Sequence, residues 1–455
     1  MNTPQRASDI SLIAGIAGEV RGLTDAEEDM IFGDKIDALL PKRQNASADA
    51  ASRKIGTRII GTRMGTFDNT TPGTWQDAIG LPAHAIAFQL LYANGSTTQT
   101  THIAKAFVCS QDTSPSNTIT SAAQATFTSA GVTANDATIP VTTQIQEPSI
   151  IASDWIGLDT VDRTDGGNGI MVVVRTYIDT AATISVRGNG GNDNYIPWVT
   201  EPNGLVWISR RATGDATASF GSGTTNLSQT PLIGIRYVLR SGQVITLGAI
   251  GDSITQGAGD TYIGGGWLRR AALLLSAANP GVVYEFANLG YSGGDPARFA
   301  KRLSNFLTAG VRPTVLFSAN GSPNGVQTPI TAANISGLRR AFGKVKAEAS
   351  TRGIPLLVWT MLPVNTSIYA WAASDSLRRA YNDETRAGVT KGDIVIDFGA
   401  KLSGVDDGTG QIQMAAGKHA DSIHPNSSGD DDLALLAVEA VKKSVTIYTA
   451  GALIS

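Results

Sequence analysis

The chain has 455 residues, enough for two or three domains that each bury a core, and only 16% of them are charged. A formal net charge of -3, with no basic run interleaved with aromatics, argues against a nucleic-acid binder. The single cysteine, Cys109, excludes an intrachain disulfide and a cysteine-rich metal site, and its flank Ala106-Phe107-Val108 reads as a buried strand.

Residues 1–55 read as a helical segment followed by a linker. Ile10, Leu12, Ile13, Ile16, Val20 and Leu23 recur at roughly helical spacing, as do Ile31, Ile36, Leu39 and Leu40, until Pro41 ends the pattern. Such an amphipathic piece without a core of its own needs a surface to cover, on its own body, on copies of itself or on a larger assembly. The start of the chain lacks the charged, apolar and small-residue regions of a signal peptide, and no apolar run reaches transmembrane length. No membrane partner is expected.

Residues 56–240 change to strands and turns. Strands are predicted at 83–92, 103–110, 169–178, 182–187, 204–210 and 232–239, separated by turn-rich stretches such as Asn189-Gly190-Gly191-Asn192-Asp193. This pattern predicts an all-β sandwich or jelly-roll-like domain, with 110–148 as a long excursion. Trp75, Trp155, Trp198 and Trp207 fall here. Aromatics on such a domain suit either a core or the stacking of sugar rings, so carbohydrate binding stays open.

From residue 241 to 448 strands and helices alternate. Strands at 244–250, 282–287, 314–317, 355–362 and 393–397 alternate with helices near 267–278, 296–308, 331–351, 374–387 and 427–448. The expectation is a three-layer α/β/α domain around a five-stranded parallel sheet, followed by a tail at 449–455.

Candidate chemistry sits at the strand ends of this region. The β-branched run Val244–Ile250 enters Gly251-Asp252-Ser253, where a glycine turn presents one serine ahead of a helix. Taken alone, this is also how an ordinary turn with a serine cap looks. Far downstream, Asp421-Ser422-Ile423-His424 offers a base for a serine and a carboxylate to orient that base. His419 is the rival base, and Asp252 reads as a structural acceptor. No His/Asp/Glu cluster has metal-ligand spacing, so neither metal nor cofactor is expected.

Gly251-Asp252-Ser253 and Asp421-x-x-His424, in that order, resemble the SGNH (GDSL-type) hydrolase family. Two intermediate blocks fit the resemblance: Asn288-Leu289-Gly290-Tyr291-Ser292-Gly293-Gly294, and Ser318-Ala319-Asn320-Gly321 in place of the family's Gly-x-Asn-Asp. Gly294 also stands where the family commonly has Asp. The resemblance implies a flavodoxin-like sheet and a serine esterase needing no cofactor. It casts Ser253 as nucleophile, His424 as base and Asp421 as its orienting acid. The oxyanion donors would be the backbone N–H groups of Ser253 and Gly293 and the side-chain amide of Asn320.

The substrate expectation is an O-acetyl ester on a polysaccharide or oligosaccharide, with Trp267, Tyr291, Tyr369 and Trp371 as candidate walls of the cleft. A β domain ahead of an SGNH domain resembles the layout of some carbohydrate acetylesterases. The alternatives are an esterase, lipase or thioesterase for lipid-like acyl groups, and a binding or attachment protein whose SGNH domain is only a scaffold. The helical start, linker and Gly/Thr/Asn-rich β region resemble a bacteriophage tail component acting at a host surface; a secreted or cytoplasmic bacterial esterase is the alternative. Because the proposed machinery all follows residue 241, that region is expected to hydrolyse a small ester on its own.

Overall fold

The computed structural model describes residues 55–450, except 60–63, 70–71, 83, 111–121, 159–168, 181, 188–206, 219–229, 241, 261–265, 327–328, 366–370, 372–373, 389, 391 and 407. The expected helical segment before residue 55 lies outside the described residues, as does the end of the tail.

The run Val244–Ile250 is buried at every position, which requires cover on both faces of its sheet. Its strand, Gln243–Ile250, lies between Val282–Asn288 and Val315–Ala319, both parallel to it. Leu356–Trp359 and Ile394–Ile396 follow outward, also in parallel. In chain order the five strands therefore stand 2-1-3-4-5, the flavodoxin-like order. The first crossover runs opposite to the rest, and right-handed connections then place its helix on the other face of the sheet. Helices Gly266–Ala278 and Ser427–Ala450 pack together, as do Pro296–Thr308 and Ala332–Thr351. The expected three layers are present.

The sheet does not end with the family's strands. Beyond Val282–Asn288 it continues through Ile55–Ile59, Leu232–Leu239, Ala85–Asn94 and Ser149–Ala152, as part of one ten-stranded sheet. Ile55–Ile59 pairs parallel to Val282–Asn288 on one side and antiparallel to Leu232–Leu239 on the other. A second, six-stranded antiparallel sheet contains Trp207–Thr213, Gly73–Pro82, Gly169–Ile178 and Thr101–Ser110. It joins the extension through buried contacts, among them Tyr92 Oη to Thr176 Oγ1 at 2.8 Å and Thr230 Oγ1 donating to Asp77 Oδ2 at 2.9 Å. The expected sandwich thus exists, but one of its sheets is the outward continuation of the parallel sheet. The boundary expected at residue 240 divides neither the sheet nor the core.

A buried ion pair lies at this joint. Arg58 reaches Glu285 through Nε at 3.0 Å and Nη2 at 2.9 Å, and Tyr237 Oη donates to the same carboxylate at 2.7 Å. Both partners of the pair are shielded from solvent. Gly56 is required beside it, because the Tyr237 ring fills the space a Cβ would take. A chain beginning at residue 241 would lose Arg58 and Tyr237, leave Glu285 without its counter-charge and open the edge of Val282–Asn288. The shared sheet and ion pair argue against this part folding alone.

Arg58→Met should cost about 3–5 kcal/mol, the usual penalty for breaking a buried pair from one side. Urea unfolding should show this as a lower midpoint. Tryptophan fluorescence and far-ultraviolet circular dichroism should remain coincident, as expected of one cooperative unit. Separate transitions would mean that the two halves fold independently.

Candidate active site

The nucleophile turn is built by close approach. A Cβ on Gly251 would collide with Thr255 Oγ1, so the chain can double back there only without a side chain. Asp252 caps the one-turn helix Ser253–Gln256 by accepting from the Ile254 N–H at 2.9 Å, and Gly257 closes the helix at φ 91°. Ser253 is left at the C-terminal edge of the central strand, mostly covered but opening into a cavity.

The loop before the last helix meets it there. His424 Nε2 lies 2.8 Å from Ser253 Oγ, and His424 Nδ1 lies 2.7 Å from Asp421 Oδ2. The other Asp421 oxygen accepts from the backbone N–H groups of Ile423 and His424, both at 2.7 Å. Partial burial would raise the Asp421 pKa, but the hydrogen bonds from His424 and from these N–H groups outweigh it and hold the carboxyl below its ordinary value. His419 turns elsewhere, with Nε2 3.2 Å from Asn365 Nδ2.

The second block is strapped to the first. The Leu289 N–H donates to Ala249 O at 2.8 Å and the Tyr291 N–H to Gly251 O at 3.0 Å. Gly293 has a left-handed φ of 74°, with open space where a Cβ would project. It lines a cavity of about 190 Å³ together with Ser253, Ser292, Pro323, Asn324, Ile423 and His424.

Asn320 does not face this cavity. Its Oδ1 accepts from Tyr381 Oη at 2.9 Å, and its Nδ2 donates to Thr385 Oγ1 and, at 3.0 Å, to Thr390 Oγ1. The amide is occupied at both ends on the helix Asp375–Arg386 and cannot serve as the expected oxyanion donor. Asn324, four residues later, lines the cavity instead. Its backbone N–H donates to Ser322 Oγ at 3.2 Å, and Ser322 Oγ in turn donates to Asp252 Oδ2. Asp252 thus belongs to the scaffold: it ties the nucleophile turn to the Asn324 loop. Burial pushes its carboxyl above the ordinary value, against the opposing hydrogen bonds.

The expected cleft walls fare poorly. Trp267 is fully buried and stacks edge-on with Phe317, Trp359 and Phe398 at 5.2–5.3 Å, so it is core. Trp371 is fully buried in a second apolar cluster with Val326, Leu338 and Tyr381. Tyr291 sits on the Gly293 loop with the Arg302 guanidinium 5.3 Å from its ring centre and is not part of the cavity lining. Tyr369 lies outside the described residues. Sequence reasoning singled out none of Ser292, Pro323 and Ile423 as cavity residues.

A flavodoxin-like sheet carrying an Asp-His-Ser relay at its C-terminal edge defines a serine-hydrolase type of domain. Residues 249–431 match the model of the GDSL-like Lipase/Acylhydrolase family, and the chain carries a carboxylic ester hydrolase domain of that family. No curated protein matches the chain. Similar solved structures include a lipolytic protein of the G-D-S-L family from Veillonella parvula DSM 2008, 24% identical, covering 43% of this chain and 97% of that one with a TM-score of 0.33. A variant of an acetyl-xylooligosaccharide esterase from Geobacillus is 18% identical over 44% of this chain and 95% of that one, TM-score 0.33. A carbohydrate esterase family 3 protein from Talaromyces cellulolyticus is 14% identical over 44% and 98%, TM-score 0.32.

The depressed Asp421 pKa predicts a direction for stability. The stabilisation by this carboxylate should be complete above the ordinary Asp range and should fade as pH falls through the lower folded value. Asp421→Asn should therefore lose stability relative to the parent near neutrality, and the gap should close in strong acid. Denaturant midpoints of both proteins across the acidic range measure it; a gap independent of pH would contradict the assignment.

Proposed function

We propose that the chain is a serine esterase removing O-acetyl or similarly short acyl groups from a carbohydrate. The observation that carries the reading is the unbroken relay from Asp421 through His424 to Ser253, opening into a small cavity. Ser253 Oγ attacks the ester carbonyl as His424 Nε2 takes its proton. Asp421 keeps the second ring nitrogen protonated and stabilises the imidazolium. The oxyanion is held by the backbone N–H groups of Ser253 and Gly293 and by the Asn324 amide. Collapse of the tetrahedral intermediate expels the sugar alcohol, which takes the proton back from His424. Water then repeats the sequence on the acyl-enzyme.

Acyl size is argued from volume. The cavity measures about 190 Å³. It is smaller than the roughly 300–1,000 Å³ of pockets for drug-sized ligands. An acetyl group suits such a space, with Pro323 and Ile423 as its apolar lining, whereas a fatty acyl chain would have to lie outside it. The polysaccharide acceptor and a virion-tail location rest on the sequence expectations, and acetate release from a panel of acetylated surface glycans tests them.

Turnover of nitrophenyl acetate should vanish in Ser253→Ala and fall comparably in His424→Ala, because nucleophile and base act as a unit. His419→Ala should leave it nearly unchanged. Across a nitrophenyl ester series kcat/KM should drop sharply beyond short chains, and a maximum at long acyl chains would replace the acetylesterase reading by a lipase-like one.

The two asparagines should separate by phenotype. Asn324→Ala should lower kcat by about 10²–10³ with KM little changed, as for loss of an oxyanion donor. Asn320→Ala should instead cost stability, about 1–3 kcal/mol from stranding buried partners. The reverse pattern in steady-state kinetics and melting would return the donor role to Asn320.

A further inference from the structure

The Gly293 loop is braced by Arg302, within the family's span, and by Gln146, outside it. Arg302, buried on the helix Pro296–Thr308, donates from Nε to Leu289 O at 2.7 Å and from Nη2 to Gly290 O at 3.3 Å. Its guanidinium also lies over the Tyr291 ring. Its third arm, Nη1, donates to Gln146 O at 2.8 Å. The Gln146 side chain reaches back to the same loop, with Oε1 accepting from the Asp295 N–H at 2.9 Å. Gln146 belongs to a tight turn. Thr142 Oγ1 binds the carbonyls of Gln144 and Glu147, and Asn305 Nδ2 holds the carbonyls of Glu147 and Pro148 at 3.2 and 3.0 Å. The turn runs directly into the edge strand Ser149–Ala152 of the extended sheet.

We propose that Arg302 and Gln146 are positioning residues that hold the backbone N–H of Gly293 in the oxyanion site, which makes the N-terminal β region a working part of the catalytic apparatus. This rests on the role given to Gly293 above. The physical reason is that Gly293 itself contributes no side chain to anchor its loop. The loop is therefore fixed at its two ends, by carbonyls on one side and the Asp295 N–H on the other. A displacement of the donor by a fraction of an ångström weakens a bond made only in the transition state.

The test uses the full chain and nitrophenyl acetate. Gln146→Ala deletes one tie from a half-exposed position, and its melting temperature should stay within a few degrees of the parent. Its kcat should fall about tenfold, short of the 10²–10³ expected for outright loss of a donor, with KM within about twofold. Arg302→Lys, which keeps the charge but cannot span the three carbonyls, should lose more. Gln146→Glu keeps an acceptor for the Asp295 N–H and should retain most of the rate. Parental rates in Gln146→Ala and Arg302→Lys, beside an inactive Ser253→Ala, would overturn the bracing alone. A rate loss fully accounted for by the unfolded fraction would also overturn it. An active Ser253→Ala would overturn the underlying catalytic reading, and the bracing with it.

Discussion

The buried carboxylate of Asp252 is the constraint on which the site depends. Taking it out of water is costly, and the structure offsets part of that cost by aiming donors at it from two directions. Its own turn supplies the Ile254 N–H, and the third block supplies the Ser322 hydroxyl. One carboxylate therefore fixes the pitch of the helix that carries Ser253 and the position of the loop that carries Asn324. The acid that serves His424 is a different one. Asp421 is half exposed, lies three residues from its histidine and is held by backbone N–H groups of its own loop. The two aspartates divide the work: one shapes the site and the other polarises the base.

A second dependence runs through the sheet. Strand Val282–Asn288 delivers the Gly293 loop, and it is an interior strand only because Ile55–Ile59 lies on its far side. The Arg58–Glu285 pair makes this adjacency specific, since an arginine and a glutamate buried there are tolerable only together. The region before residue 240 is thereby more than an appended binding module. It completes the sheet, covers an edge that would otherwise be open to other chains and reaches the Gly293 loop through Gln146.

Much of the α/β half was legible because its signals are local. Val244–Ile250 reads as a doubly covered strand, Gly251-Asp252-Ser253 as a turn presenting a hydroxyl, and Asp421 with His424 as neighbours on one loop. The structure brings these groups within hydrogen-bond reach. Sheet continuity was not legible, because Ile55–Ile59 and Val282–Asn288 are far apart in sequence and their pairing leaves no periodic mark in either. The aromatic candidates misled for a related reason. Trp267 and Trp371 stand near site motifs in the chain, but burial of so large an apolar surface directs them into cores, and sequence distance carries no information about the side of the strand end on which they fall.

The third block shows how a motif can keep its chemistry while moving its residue. Where the family has Gly-x-Asn-Asp, this chain has Ser318-Ala319-Asn320-Gly321, and the space at Gly321 is taken by the Met361 and Leu338 side chains. An aspartate there would have to displace the end of the Met361 side chain. The Asn320 amide is bound by Tyr381, Thr385 and Thr390 and acts as structure. In the proposed mechanism the donor is Asn324, on the short helix Pro323–Val326, whose Nδ2 reaches Gly294 O at 3.4 Å in this structure. Pro323 suits the first turn of that helix and also lines the cavity, and Ser322 bridges it to Asp252. The inward turn of the Asn320 amide is readable only once the packing around residues 320 and 321 is known.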